Sequence, residues 1–403
     1  MGTMKVLQLC NKPPYPPVDG GTMAMNSITQ GLLSRGHEVK VLAVETDKHP
    51  LREELLPADY RERTRIDGVY VDLSVRAVPA LVALLCGESY HVKRYVSDAF
   101  ARRLREVLEA EAFDVVHIES VFLTPYVPLI RRLTDARVVL RAHNVEHKIW
   151  EQVAQSCHNP LRRQYLKHLA LTLRSYEHEH LNDYDGVVCI TKNDADHFRA
   201  AGCRKPVEVI PFGVEPEDLS HVEEEPGTLF HIGAMDWLPN VESIDWLLEK
   251  VWPVVHARVP SVRLYLAGRK MPERLMKAQI DGVTVVGEVA DAMYFIGSKQ
   301  INVVPLLSGS GIRVKIIEAM SVGKTVVTTH VGARGIACTD GVDILLADTP
   351  EAFAEQIARC VEDPLFCRRV GAAAAELVAR EYEIGALSER LEAFYERLKG
   401  AGR

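Results

Sequence analysis

Apolar residues in this chain gather into short β-branched runs separated by stretches of helical period. Lys5 to Cys10 (KVLQLC) and Glu38 to Val44 are such runs, and DVVHIES, ARVVLRAHN, DGVVCIT and VEVIPFG follow from Asp114 onward, each ending in polar or glycine residues. Runs this compact suit parallel strands buried on both faces. Between the first two, Met25, Ile28, Leu32 and Leu33 keep a helical spacing that closes at Gly36. Residues 46–113 are less regular: a polar loop, a candidate strand from Val69 to Val75 and helices near 90 to 111. A long helix, first basic and then acidic, is expected from Asn159 to Tyr184.

The periodicity stops at PEDLSHVEEEPG, an acidic, proline-flanked segment that reads as an interdomain linker. The rhythm then restarts with TLFHIGA, a helix from Asn240 to Val259, VRLYLAG, VTVVGEV, a helix near 290 to 298, an apolar run from Ile301 to Leu307, and DILLAD. Helices at Thr349 to Glu362, Pro364 to Ala379 and Ile384 to Lys399 close the chain. The pattern predicts an α/β protein of two doubly wound, Rossmann-like domains facing each other across a cleft, spanning residues 1–215 and 216–383.

The most informative stretch is VVPLLSGSGIRVKIIEAMSVGKTVV, Val303 to Val327. It reads as strand, glycine turn, helix, strand. Gly309 and Gly311, flanking Ser310, let the backbone approach a ligand closely, and a helix starting at Ile312 would leave amides near Gly311 and Ile312 without intrahelical acceptors, which favours an anion. Lys315 and Glu318, three residues apart, share a helical face. Arg313 and Lys315 suit a phosphate there, and Glu318 suits ligand hydroxyls; the plain alternative is a surface salt bridge. Near the amino terminus, Gly20 and Gly21 form a second glycine turn before a helix, without the G-x-G-x-x-G of a dinucleotide site. His117, Glu119, His143, Asn144, Thr191 and Gly213 fall at strand ends, where doubly wound sheets hold ligands.

Length sets the domain count, since 403 residues exceed what one core usually supports. The 47% hydrophobic and 26% charged residues are those of an ordinary globular protein, and a net charge of −7 argues against a nucleic-acid partner. Residues 1–214 carry 28 Lys and Arg against 27 Asp and Glu, whereas the rest carries 20 against 28. An anionic surface would therefore meet the first half. Eight cysteines without C-x-x-C spacing are expected to be reduced and mostly buried, as in a cytosolic protein. Met4 to Cys10 is too short for a signal peptide, and the apolar run Val78 to Cys86 is too short to span a membrane. For the basic helix after Asn159 a solvated face is favoured, with peripheral membrane contact through this domain as the alternative. Two metal-like spellings are read as decoys. In His143, Glu146 and His147 (H-x-x-E-H) the first histidine ends a strand, and Asp194 to Asp196 (D-x-D) begins a helix. Trp237, Trp246 and Trp252 are read as core or rim.

GGTMAMNSITQGLLSRGHEVKVLAV, GAMDWLPNVESIDWLL, LYLAG, VTVVGEVAD and the Val303 to Val327 stretch resemble the GT-B glycosyltransferases of family 4, in order and over nearly the whole chain. The resemblance implies a retaining transferase whose nucleotide-diphosphate sugar donor binds the second domain. A glycan, lipid-linked or small-molecule acceptor would bind the first. The last helix, 384–403, would pack back on the first domain. Of the family's two glutamates, Glu318 matches the one that holds the donor's ribose, while the other is replaced by Ser310, which offers only a neutral hydroxyl. The family's diphosphate-binding Arg and Lys are replaced by Ala234 and Asn240, and Arg313 and Lys315 are expected to supply that charge within a G-S-G-x-R-x-K-x-x-E pattern. His143 matches a position near the sugar or its leaving group, and the loop Val285 to Val289, with Val286, meets the base through its backbone. No metal and no cofactor beyond the nucleotide sugar are implied. A cytoplasmic or peripheral inner-membrane location and a role in cell-surface glycan or glycolipid synthesis follow. A nucleotide-sugar epimerase and a non-catalytic nucleotide-sugar or glycan-binding protein remain as alternatives.

Overall fold

The computed structural model describes residues 2–215, 217–309 and 311–400. Two compact units are present: residues up to Gly213 together with the chain from Leu387 onward, and Val214–Ala386.

The first unit holds a seven-stranded sheet of β1 (Lys5–Cys10), β2 (Glu38–Glu45), β3 (Asp67–Tyr70), β4 (Val115–Ile118), β5 (Arg137–Ala142), β6 (Gly186–Cys189) and β7 (Val207–Val209), ordered β3-β2-β1-β4-β5-β6-β7. Every pairing is parallel. Strand order reverses at β1, which pairs with both β2 and β4. The second unit holds β8 (Thr228–Ile232), β9 (Arg263–Ala267), β10 (Val283–Gly287), β11 (Ile301–Val304), β12 (Thr325–Thr328) and β13 (Leu345–Leu346), ordered β10-β9-β8-β11-β12-β13, again all parallel. Its reversal lies between β8 and β11. Crossovers from such a strand leave to opposite faces, so the loops at its carboxyl end part and open a crevice.

The central strands of both sheets are buried on both faces, which is why they read as nearly continuous apolar runs. One face of the first sheet packs Leu7, Leu9 and Val116 against Phe100, Leu104 and Tyr126. The other packs Val6, Val39 and Val115 against the helix Gly20–Ser34 and against Leu387, Leu391, Phe394, Tyr395 and Leu398 of the final helix, Ile384–Gly400. A Cβ on Gly186 would stand 2.6 Å from the Phe394 ring, so glycine in β6 admits this helix.

Several boundaries differ from the sequence reading. The third strand is Asp67–Tyr70, not Val69 to Val75, because its partner β2 ends at Glu45, opposite Tyr70. The strand expected over Ile301 to Leu307 ends at Val304, and Leu307 is exposed. The helix expected from Asn240 runs from Leu238 to Arg258 with a π-helical turn at Leu247–Val251. Helices that were not foreseen include Ala58–Thr64, Ala77–Cys86, Val127–Leu133, Glu146–Gln155 and Glu273–Met276. All eight cysteines are free, but only Cys10, Cys189, Cys360 and Cys367 are buried. No helix among the described residues is long and apolar enough to cross a membrane.

Candidate active site

In the second unit the crevice at the β8/β11 reversal is built from glycine and cations. β8 ends at Ile232 and β9 at Ala267, and the next residues, Gly233 and Gly268, press together. Gly268 has φ +147°, and a Cβ there would lie 1.8 Å from the Gly233 carbonyl oxygen. Only a residue without a side chain permits this approach.

His231, fully buried on β8, donates from Nδ1 to the Val303 carbonyl of β11 at 2.8 Å. That bond fixes the tautomer, so Nε2 is an acceptor. Lys315 Nζ stands 3.1 Å from it and donates to Asn240 Oδ1 at 2.7 Å. Asn240 Nδ2 in turn donates to the Ala234 carbonyl at 2.8 Å. The lysine from the helix after β11 thus places its charge against the loop after β8, beside the two residues that carry no charge of their own. Burial, and then the neighbouring Arg313, push the Lys315 amine down to about 7. Burial and the Lys315 charge hold His231 well below its ordinary value, so it is neutral.

Arg313 is buried, with Nη1 donating to the Gly311 carbonyl at 3.0 Å and its guanidinium carbon 5.4 Å from the Trp237 ring centroid. Burial, followed by Arg334, lowers it to about 10. Gly309 has φ +117°, and a Cβ there would stand 2.9 Å from Arg313 Nη2 and 3.1 Å from the Trp237 ring. The glycine is needed twice over, for conformation and for space.

The helix begins at Val314, with Arg313 as its N-cap, two residues later than the expected start at Ile312. Gly311 and Ile312 are therefore loop residues, because Gly311, at φ +78°, turns the chain out of helical geometry. Ser310 lies outside the described residues. Glu318 is half-buried one turn beyond Lys315, and its carbonyl accepts Ser321 Oγ at 2.7 Å. Burial, then Glu217, raises its carboxyl. Val286 is not in a loop. It is the extra residue of a bulge in β10, between Val285 paired with Leu266 and Gly287 paired with Ala267.

In the first unit the strand ends assemble a buried polar network. Glu119, just past β4, is fully buried; it accepts from Gln8 Nε2 at 2.6 Å, and its other oxygen lies 2.9 Å from His143 Nε2. Gln8 Oε1 accepts from Thr29 Oγ1 at 2.7 Å. Arg141, also fully buried, brings Nε within 4.0 Å of Glu119, and Tyr395 OH meets His117 Nδ1 at 2.7 Å. Burial alone would raise the Glu119 carboxyl, but His117, His143 and Arg141 hold it well below the usual range. Glu119 is therefore ionised and orients His143, whose own value is lowered by burial against that pull.

His143 opens on a cavity of about 170 Å³ lined also by Asn11, Lys12, Asn144 and Glu146. Burial, then Glu177, lifts Glu146 to about 7. The Gly20–Gly21 segment is the first turn of a helix, not a free anion loop. Asp19 caps it, accepting from the Thr22 amide at 2.9 Å and pairing with Lys12 at 2.7 Å, so a carboxylate of the chain itself already stands at this helix start. Thr191 and Asp194 form a helix cap, as the decoy reading held.

The chain's residues 226–363 match the family described as glycosyl transferases group 1, and residues 18–218 match glycosyltransferase family 4. The chain belongs to this glycosyltransferase family. Sucrose-phosphate synthase from Thermosynechococcus elongatus superposes with a TM-score of 0.70 at 16% identity, over 99% of this chain and all of that one. HepE from Anabaena, solved in complex with UDP, superposes at 0.65 and 15% identity, over 98% and 100%. An uncharacterized 44.6 kDa protein in the cps region of Klebsiella pneumoniae is 25% identical over 88% of this chain and 90% of its own length. The two parallel sheets are those of the GT-B fold.

In this glycosyltransferase Arg313, Lys315, Asn240, Gly309 and Gly311 come together in the second unit, with Glu318 on the same helix. His143 stands in the first unit with Glu119. Sequence reasoning passed over His231, Gln8 and Arg141. Each is a polar residue inside an apolar strand run, in LFHIG, VLQL and VVLRA. A buried polar side chain needs a partner, so that position was the available signal.

Proposed function

We propose that this GT-B glycosyltransferase is a retaining enzyme that moves a sugar from a nucleotide-diphosphate donor, held by the second unit, to an acceptor held by the first. The observation that carries the reading is the juxtaposition of Lys315, Arg313 and Asn240 around the glycine-lined crevice after β8 and β11. A departing nucleoside diphosphate gains negative charge, and preorganised cations in a water-poor site stabilise it where it develops. Two enclosed cations supply that charge from the chain itself, which supports a metal-independent donor site. Glu318 takes the ribose hydroxyls, and the backbone about Val286 meets the base. His143, oriented by Glu119, lies at the acceptor side near the transferred sugar. The relative from a cps region supports an acceptor that is a glycan or lipid-linked glycan of the cell surface.

Thermal-shift screening against UDP, GDP, ADP, CMP and dTDP and their sugar conjugates, with and without EDTA, tests the donor site. Selective stabilisation by one nucleoside diphosphate family, unchanged by EDTA, is expected; a ligand at 100 times its dissociation constant adds about 2.7 kcal/mol. The sugar conjugate that binds then enters transfer assays, where NMR of the product should show the donor's anomeric configuration kept. Conversion of donor to a second nucleotide sugar without acceptor would instead identify an epimerase. Donor binding without transfer or hydrolysis would leave a binding protein.

Donor affinity also carries a pH signature. The Lys315 amine titrates near 7 without ligand, and an adjacent diphosphate favours its ammonium form, raising that value in the complex. Affinity is therefore full below pH 7 and falls above it, by up to about tenfold per pH unit, until the bound-state value is reached. Calorimetry with the nucleotide sugar between pH 6.5 and 9 should show this fall, since its diphosphate has no proton to lose there. A flat profile would mean that Lys315 does not meet the phosphates.

A further inference from the structure

Three carboxylates line the cavity on which His143 opens, and two of them are engaged by the fold. Glu119 meets Gln8 with one oxygen and His143 with the other. Glu177, on the helix Pro160–Glu179, accepts from the amides of Glu146 and His147 at 3.0 and 3.1 Å, and His147 Nδ1 lies against the same carboxylate. The third is Glu146, half-buried at the start of the helix Glu146–Gln155, and among the described residues no cation pairs with it. An acid in the first turn of a helix is ordinarily eased by the amides there. Here Glu177 takes two of those amides and adds its own charge.

Burial, and then Glu177, therefore hold the Glu146 carboxyl near 7, with Asp194 of the helix Lys192–Ala200 pushing the same way and the Asn144 side chain giving some relief. Lys148 eases Asp194 instead, and the His197 ring packs 5.5 Å from that of His147. Tyr95 is a further titratable neighbour, its phenol raised chiefly by burial. Lys12, from the loop after β1, is the one cation lining the cavity, and Asp19 holds it at 2.7 Å. Three carboxylates against one paired lysine disfavour a phosphate or a carboxylate in this cavity, and suit a neutral group rich in hydroxyls.

We propose that Glu146 is the proton acceptor of the transfer: it accepts a hydrogen bond from the attacking hydroxyl of a neutral sugar acceptor and takes its proton as the new glycosidic bond forms. The acceptor oxygen bonds to the donor's anomeric carbon, the bond from that carbon to the diphosphate breaks with its electron pair going to the diphosphate oxygen, and the hydroxyl proton passes to Glu146. The role rests on the function proposed above, in which the first unit holds the acceptor and His143 lies near the transferred sugar. A carboxyl that ionises near neutrality is matched to this step, and the fold keeps it so at a cost.

The test is Glu146→Gln, read at saturating donor with the acceptor varied. kcat/KM for the acceptor should fall about 100-fold or more, the scale of a lost general base, while donor affinity in calorimetry holds. The wild-type profile should fall by about tenfold per pH unit below about 7, a limb that the glutamine variant lacks and Glu146→Asp keeps. Melts without ligand give a second readout. The folded carboxyl is raised above its unfolded value of about 4.3, so ionising it costs stability as pH rises from there through the folded value. Glu146→Gln should therefore raise the thermal midpoint at pH 8 and change it little at pH 5. A glutamine variant within threefold of wild type, one that keeps the pH limb, or one no more stable than wild type at pH 8 would overturn the role of Glu146 and leave the transferase reading standing. A wild-type chain that transfers to no hydroxyl acceptor would overturn that reading, and this role with it.

Discussion

Replacing Lys315 by glutamine lowers kcat/KM for transfer by a factor on the order of 100 to 1,000 while the protein stays folded. Glutamine keeps an N–H donor for Asn240 Oδ1 or His231 Nε2, which now receive Lys315 at 2.7 and 3.1 Å, so the buried acceptors are not stranded. What disappears is the positive charge. Loss of one preorganised group facing developing charge typically costs about 3 to 4 kcal/mol of transition-state stabilisation. Stability should hold or rise slightly, because an amine held near 7 by burial is a charge the fold carries at a cost. Steady-state kinetics beside a thermal melt check this. Retained activity would remove Lys315 from the donor site, and a collapsed melt would make its role structural.

The second large effect is on stability. Arg141→Met should destabilise the first unit by about 3 to 5 kcal/mol, the range seen when one partner of a buried ion pair is removed. Glu119 is fully buried and ionised, and Arg141 is its neighbouring permanently charged group, at 4.0 Å. Arg141 also donates to the Ala24 and Pro211 carbonyls at 3.3 and 3.4 Å, tying β5 to the helix Gly20–Ser34 and to the segment after β7. Urea denaturation measures the loss. The double variant Arg141→Met, Glu119→Gln should recover part of it, since a neutral amide needs no counter-charge; additivity of the two changes would deny the coupling. Because the Glu119 carboxyl is held below its unfolded value, its contribution is present above that value. It should fade only in acid, as pH falls through the lower, folded value.

Legibility in the sequence followed how local the cause was. Strands covered on both faces are apolar at nearly every position, so the parallel strands of the two sheets left a rhythm that survives without any partner being known. The turn at Gly309 and Gly311 was readable because positive φ demands glycine. Helix starts were less so: Ile312 fits the helical period, yet Gly311 delays the first turn to Val314. Gly20 and Gly21 read as a glycine turn open to an anion, but Asp19 caps that turn with its own carboxylate, accepting from the Thr22 amide.

The sequence by itself determined the GT-B architecture, the place of the glycine turns and the presence of Arg313, Lys315 and Glu318 on one short segment. Only the tertiary structure decided what those side chains meet. Lys315 finds His231 and Asn240, 84 and 75 residues away, and Glu119 finds Gln8, 111 residues away. It also decided that the apolar helix Ala77–Cys86 turns its valines and leucines outward. Periodicity records which side of an element is apolar. Whether that side is covered, and which distant group relieves a buried charge, depends on what the rest of the chain packs against it.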